Sequence, residues 1–162
     1  MSKSKGNVPD QVGRPTIQNR KARHNFQILE TLEVGIQLTG TEIKSIREGN
    51  IQLSEAYVEV TPQFELFLMG AHIDEYSQGN RFNHEPARKR KLLAHRAEII
   101  KFHKAKVLKG LTIVPLKLYF KGSYAKLEIG LAKGKNVGDK RQDLIQKTQK
   151  REIDRAIKAA RF

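Results

Sequence analysis

The 162-residue chain predicts a mainly β fold with helices, built as a small antiparallel barrel that carries a basic C-terminal tail. Three observations lead there. Period-two alternation of apolar and polar side chains recurs in short runs separated by turn residues, the pattern of half-buried antiparallel strands. The charge is segregated: residues 26–132 carry fifteen Lys/Arg against twelve Asp/Glu, whereas residues 1–25 carry six against one and residues 133–162 ten against four. The last thirty residues also have too few apolar side chains to offset the entropy of ordering their backbone. They are expected to stay mobile until a polyanion organises them, and to become helical on binding.

The expected organisation is a disordered basic N-terminal arm over residues 1–18, a β-barrel domain over 19–132 and a basic tail over 133–162. A middle segment of this size falls in the common range of single domains and can bury a core without staples. The chain has no Cys, which excludes disulfides and thiolate zinc sites. No segment has the apolar run of a signal peptide or membrane span, so no membrane association and a cytoplasmic location are expected. A nearly neutral body between two cationic ends is the footprint of a protein that sits on phosphate backbones.

The elements follow in order. From Phe26 the apolar residues Phe26, Ile28, Leu32, Val34, Ile36 and Leu38 fall on one side of a long strand. Gly35 in its interior and Glu30 on its apolar side point to a bulge or bend that lets one strand serve two barrel edges. Gly40-Thr41-Glu42 reads as a stop followed by a helix cap, with Ile43 and Ile46 facing the core and Gly49-Asn50 ending the helix. Strands are expected at Gln52–Val60 and Phe64–Met69, joined by Thr61-Pro62-Gln63. Residues 76–85 are polar and expected to be loop. Arg88–Leu93 reads as an extended basic segment before a helix over about Arg96–Leu108, whose apolar spacing is Ile99, Ile100, His103 and Val107 and whose cap is His95 with Glu98. Leu111–Phe120 and Tyr124–Leu131 alternate around Lys121-Gly122-Ser123 as a hairpin. Five or six short strands with one or two helices describe a small barrel, of which the oligonucleotide-binding type is a natural member.

No catalytic constellation is present in the sequence. The five histidines, His24, His72, His84, His95 and His103, include no pair at helical ligand spacing, so no metal site is expected and no cofactor is called for. Gly130-Leu131-Ala132-Lys133-Gly134-Lys135 superficially resembles a phosphate loop, but it is one residue short and has Asn136 in place of the magnesium-binding hydroxyl. No Gly-x-Ser-x-Gly elbow occurs. An enzyme is not expected.

Candidate binding residues are more numerous. Asn19, Arg20, Lys21, Arg23 and His24 cluster three fixed cations with a ring suited to phosphate contact and base stacking; a disordered lead-in is the alternative. Glu33 would repel phosphate, unless it accepts hydrogen bonds from base-edge amines or a ribose hydroxyl; otherwise it is the solvated face of a strand. Arg88, Lys89, Arg90 and Lys91 form a cationic run that Leu92 and Leu93 anchor to the body, and it either presents charge rigidly or is an ordinary solvated surface. In the tail, Leu144, Ile145, Ile153, Ala156, Ile157 and Ala160 give a weak stripe, best over Arg151–Arg161, and a helix that short is marginal in water.

Five motifs in one order carry a resemblance: Asn19–His24, Gly40–Arg47, Pro86–Leu93, Glu128–Lys135 and Asp139-Lys140-Arg141. Together they resemble the bacterial small protein B family, the SsrA-binding proteins. The resemblance implies a non-enzymatic RNA-binding protein of ribosome rescue. Its oligonucleotide-binding-like barrel would hold the transfer-RNA-like part of transfer-messenger RNA, as a monomer bound one-to-one. The tail would enter the decoding centre and empty messenger channel of a stalled small subunit. It further implies RNA contact at Asn19, Glu33 and Leu93, beside Arg20, Lys21, Arg23, His24, Arg88, Arg90 and Lys91, which the residues themselves nominate. For ribosome engagement it implies Asp139, Lys140 and Arg141, and the charge of the tail adds Lys133, Lys135, Lys147, Lys150, Arg151, Arg155 and Lys158 as candidates. Gly138 stands where the family usually has an aromatic residue or histidine, and it offers no ring for stacking. The rival reading is a ribosomal-protein-like module that binds ribosomal RNA constitutively.

Overall fold

Two bulges organise the barrel. The computed structural model describes residues 15–79, 83–135 and 137–160, with 137–139 described by backbone alone. In chain order the elements are β1 (Ile17–Gln18), α1 (Arg20–Asn25), β2 (Phe26–Ile36), α2 (Gly40–Arg47), β3 (Ile51–Gln52), β4 (Tyr57–Val60) and β5 (Leu66–Met69). Then follow β6 (His72–Ile73), β7 (Arg90–Leu93), α3 (Arg96–Lys109), β8 (Thr112–Lys121), β9 (Tyr124–Gly134) and α4 (Val137–Ala160). The sheet runs β1-β8-β4-β5-β7-β2-β9, and β8 also pairs with β9, so the strands from β8 round to β9 form a ring. The barrel is only partly closed, because β4 meets β8 through Val58 and Ile113 and β2 meets β7 through Gly35 and Ile36. A separate two-stranded sheet pairs β3 with β6.

The first long strand does not keep one face to the core, contrary to the sequence reading. Its register against β9 shifts between Ile28 and Glu30, so Leu29 is an extra residue. A period-two strand that gains one residue exchanges its faces. Before the bulge, Phe26 and Ile28 lie on the outer side; after it, Val34 and Ile36 face the main core. Glu30 on the apolar side follows from the same shift, and it ends at the barrel rim, where Lys101 Nζ lies 2.8 Å away. A second bulge does the same in β8, between Pro115 and Lys117. Ile113 and Leu118 therefore both face the main core, whereas Val114 and Leu116 join Ala22 and Ala132 in a small outer cluster under α1.

The main core contains Ile46, Leu66, Leu68, Ile73, Ile113, Leu118, Leu127 and Ile129, all without exposed surface. Each such side chain contributes about 1.5–3 kcal/mol of burial. Residues 52–60, expected as one strand, are split by a turn in which the Ala56 N–H donates to the Leu53 carbonyl at 3.0 Å. In α3 the buried pair is Ile99 and Phe102, and Val107, expected on the core face, is 65% exposed. His95 caps α3 without a side-chain hydrogen bond, and Gly110 ends it in the left-handed conformation at φ 62°. Thr39, one residue before the expected stop, caps α2 by accepting from the Glu42 N–H. The β8–β9 hairpin forms as expected, with Lys121 opposite Tyr124 and Gly122 at φ 62° in the turn.

The boundaries move slightly. Ile17 and Gln18, assigned to the arm, pair with Leu118 and Lys117, and β9 runs on to Gly134. Residues 1–14 of the arm lie outside the described residues. The tail differs more: Val137–Ala160 is one helix of 24 residues rather than a short helix from Arg151. No Gly or Pro interrupts the sequence after Gly138, and Asp143 with Lys147 and Asp154 with Lys158 stand at the supportive i,i+4 spacing. At this length a helix no longer falls under the marginal limit of about 12–15 residues.

Candidate nucleic-acid interface

The basic helix α1 is placed by a residue that the sequence reading expected to touch RNA. Asn19 is 3% exposed. Its amide nitrogen donates to the carbonyls of Leu53 at 3.0 Å and Pro115 at 2.9 Å, while its Oδ1 accepts from the Ala22 N–H at 3.2 Å. The Asn19 N–H itself donates to the Leu116 carbonyl at 2.7 Å. With every polar group of its side chain engaged and almost no exposed surface, Asn19 serves in this structure as a buried helix cap. The cap presses Ala22 onto the outer apolar cluster, so Arg20, Lys21 and Arg23 are held outward and His24 is half exposed. Lys21 pairs with Glu55, and Arg23 lies 3.5 Å from Glu128.

Beside α1, the outer face of β2, β9, β8 and β7 carries a continuous set of polar side chains. Glu33 sits opposite Glu128, which sits opposite Lys117, and Tyr119 lies opposite Lys126. Two carboxylates facing each other across adjacent strands repel. Here each has its own compensation. Glu128 is approached by Arg23 and by Lys117 at 3.6 Å, and Glu33 accepts from the Tyr119 hydroxyl and from Lys121 at 3.0 Å. The Tyr119 hydrogen bond, with Lys121 assisting, holds the Glu33 carboxyl below its ordinary range, so it stays ionised. Partial burial and the bond to Glu33 push the Tyr119 phenol up, so it stays a donor.

Leu93 belongs to this same face. It pairs with Gly35, two residues from Glu33, and remains 47% exposed. A Cβ at Gly35 would lie 3.3 Å from the Leu93 Cβ, so glycine here lets β7 close on β2 and leaves Leu93 beside Glu33. Lys91 is half buried and lies 3.5 Å from Glu65, and Lys89 sits 4.8 Å from the centre of the Phe67 ring.

The expected cationic run is divided by burial. Arg90 is completely buried. Its Nε donates to Glu42 Oε2 at 2.9 Å, and its terminal nitrogens donate to the carbonyls of Ala71, Glu85 and Pro86 at 3.0–3.3 Å. Arg88 donates to the other oxygen of Glu42 at 2.5 and 3.1 Å. Glu42 is itself fully buried; burial alone would raise its pKa, but hydrogen bonds from the two guanidiniums outweigh it and the carboxyl is lowered. Arg90 therefore cannot reach RNA: alternation along β7 turns it inward with Leu92, and a buried guanidinium is stable only with such a partner set. Arg88 is drawn into the same cluster, and Lys89, Lys91 and Leu93 remain on the surface.

The tail is joined to the barrel at its root. The Lys135 N–H donates to the Asn25 carbonyl at 3.0 Å and the Lys135 ammonium pairs with Asp143. Lys133 is exposed at the end of β9. On α4, Lys140, Lys147, Arg151, Arg155 and Lys158 recur at helical spacing on one side, with Lys150 beside them, opposite Ile145, Ile153, Ala156 and Ala160. Beyond Asp143 every described side chain of the helix is exposed, including Leu144, Ile145, Ile153 and Ile157. Arg141 is exposed and Lys140 half exposed in the first turns; the Asp139 side chain lies outside the described residues, as do those of Asn136, Val137 and Gly138.

Lys117, Tyr119, Lys121, Lys126 and Glu128 were missed by sequence reasoning. Their signal was the polar half of the hairpin alternation, residues 117, 119, 121, 126 and 128, which marks a solvent-facing stripe as clearly as the other half marks the core. Among the described residues no cluster of His, Asp and Glu is arranged to hold a metal ion, and no helix is long and apolar enough to cross a membrane.

Comparison with known proteins places these features together. The family model described as SmpB protein matches residues 16–159. The SsrA-binding protein of Carboxydothermus hydrogenoformans is 53% identical over 142 residues, 88% of this chain and 95% of that one. That of Levilactobacillus brevis is 48% identical over 159 residues, 98% and 99% of the two chains. A solved chain described as "tmRNA-SmpB: a journey to the center of the bacterial ribosome" superposes with a TM-score of 0.65 at 44% identity, covering 76% of this chain and 86% of that chain.

Proposed function

The chain belongs to the SmpB family, and from that premise we propose that it binds transfer-messenger RNA and delivers it to stalled ribosomes. The observation that carries this reading is the extent of the family match, which spans the barrel and the tail helix to residue 159 without a break. RNA is the chemistry that suits the face beside α1. Arg20, Lys21, Arg23 and His24 supply phosphate contacts and a stacking ring, Lys91 adds charge, Leu93 offers apolar surface to an unstacked base, and Glu33 accepts from donors that phosphate lacks. On this reading residues 17–134 grip the transfer-RNA-like part of the RNA as a monomer. The cationic face of α4 then engages the decoding centre and the empty messenger channel through Lys140, Arg141, Lys147, Lys150, Arg151, Arg155 and Lys158, with Lys133, Lys135 and Asp139 at its root.

The protein works by binding alone, without a catalytic step, in the cytoplasm where ribosomes stall. The experiment is to purify the full chain from cells and sequence the RNA that accompanies it. Enrichment of one small free RNA, transfer-messenger RNA, is expected. Stoichiometric recovery of ribosomal RNA with intact subunits in cells without stalling would favour the constitutive ribosomal module instead.

A further inference from the structure

The Glu33 carboxylate is not a free strand-surface side chain. The Tyr119 hydroxyl donates to its Oε2, and Lys121 donates to Oε1 at 3.0 Å and Oε2 at 3.3 Å. Tyr119 is itself fixed: it is half buried on β8, and the Lys117 ammonium lies 5.3 Å from its ring centre. Lys117 in turn approaches Glu128, the residue directly opposite Glu33. The two partners of Glu33 differ in what they can do. A lysine on a long flexible stem that is 66% exposed supplies charge but little geometry. A tyrosine with two torsions and a packed ring supplies a hydroxyl at a defined point.

We propose that Tyr119 is a positioning residue for Glu33, presetting its carboxylate as a fixed acceptor for hydrogen-bond donors of bound RNA and so contributing to RNA specificity. The proposal rests on the reading that Glu33 lies in the RNA-contacting face. A glutamate on an exposed strand loses rotamer freedom when it binds, and a partner that has already fixed the rotamer removes that cost. Three hydrogen bonds from these two donors leave about one of the roughly four lone-pair sites of the carboxylate, enough for one exocyclic amine or ribose hydroxyl. The same hydroxyl keeps Glu33 ionised, so that it repels phosphate and rewards only a donor.

The test is a double-mutant cycle in the full-length chain, with Y119F, E33Q and the double variant titrated against a transcript of the transfer-RNA-like domain of transfer-messenger RNA. Tyr119→Phe keeps the ring beside Lys117 and removes only the hydroxyl. The expected result is a loss of about five- to tenfold for Y119F, a loss at least as large for E33Q, and less than about twofold further loss when Y119F is added to E33Q. In Y119F the acid fall in affinity should also move to higher pH than in the unmodified chain. The proposal is overturned if Y119F binds like the unmodified chain, or if it loses as much in the E33Q background, which would mean that the hydroxyl acts without Glu33. Wild-type affinity of E33Q would instead remove Glu33 from the RNA face and take the premise away.

Discussion

Burial of charge decides what individual residues do in this protein. Glu42 lies between Arg88 and Arg90 with no exposed surface, and Arg90 depends on it. Glu42→Gln leaves a buried guanidinium without a counter-charge, and we expect it to cost about 3–5 kcal/mol in chemical denaturation. An effect below about 1 kcal/mol would show that the backbone carbonyls suffice to hold Arg90. The pH dependence follows with a definite sign. Because folding lowers the Glu42 pKa from its ordinary 4.5, its contribution is fully present above that value and is lost as pH falls through the lower folded value. The unmodified protein should therefore lose stability more steeply below about pH 4.5 than E42Q, and parallel acid unfolding curves would contradict this. Asn19 was legible in the sequence as part of a basic cluster, but its role was not, because a cap is recognised by the carbonyls of Leu53 and Pro115, residues 34 and 96 positions away. The same holds for Arg90, whose four acceptors lie in two separate loops and a helix. Charge runs are visible in sequence; which member of a run turns inward depends on the partners that folding brings.

At the scale of elements, alternation located the hairpin and the long first strand, helical spacing located the third helix, and Lys121-Gly122-Ser123 located the hairpin turn. What alternation hid was phase. Glu30 on the apolar side signalled the bulge, but the sequence pattern still reads as one apolar face while the strand shows two, and the paired strand is what places the extra residue at Leu29. The consequence is the outer cluster on which α1 sits, and Gly130 is its narrowest point, with an added Cβ only 3.0 Å from both Ile28 and Leu116 side chains. Gly130→Ala should destabilise the barrel by about 1–3 kcal/mol and weaken RNA binding through displacement of α1; unchanged stability would show that the cluster yields freely. The tail helix was underestimated because its apolar stripe was weighed alone, whereas uninterrupted helix formers and i,i+4 pairs extend it over Val137–Ala160. Ala156→Pro, which removes a hydrogen bond in the exposed helix at about 3 kcal/mol, should leave affinity for isolated transfer-messenger RNA unchanged and reduce its delivery on stalled ribosomes. Equal activity of the variant and the unmodified chain would mean that the tail does not work as a helix.

Across the whole molecule, the proposed function divides between a barrel that presents a shaped face and a helix that presents charge with little shape. The net charge of +14 lies mainly at the two ends of the chain, so RNA affinity should fall steeply with salt, with a logarithmic slope of about 0.7–0.9 per phosphate contact neutralised. Removal of α4 should shallow that slope less than neutralisation of Arg20, Lys21 and Arg23, because the barrel face holds the folded RNA. The measurement that tests the division most directly is made with a chain ending at Lys135, assayed in parallel for affinity to transfer-messenger RNA and for trans-translation on stalled ribosomes. Affinity within about tenfold of the full chain, together with loss of trans-translation, is predicted. A shortened protein that still supports trans-translation, or one that no longer holds the RNA, would contradict the account.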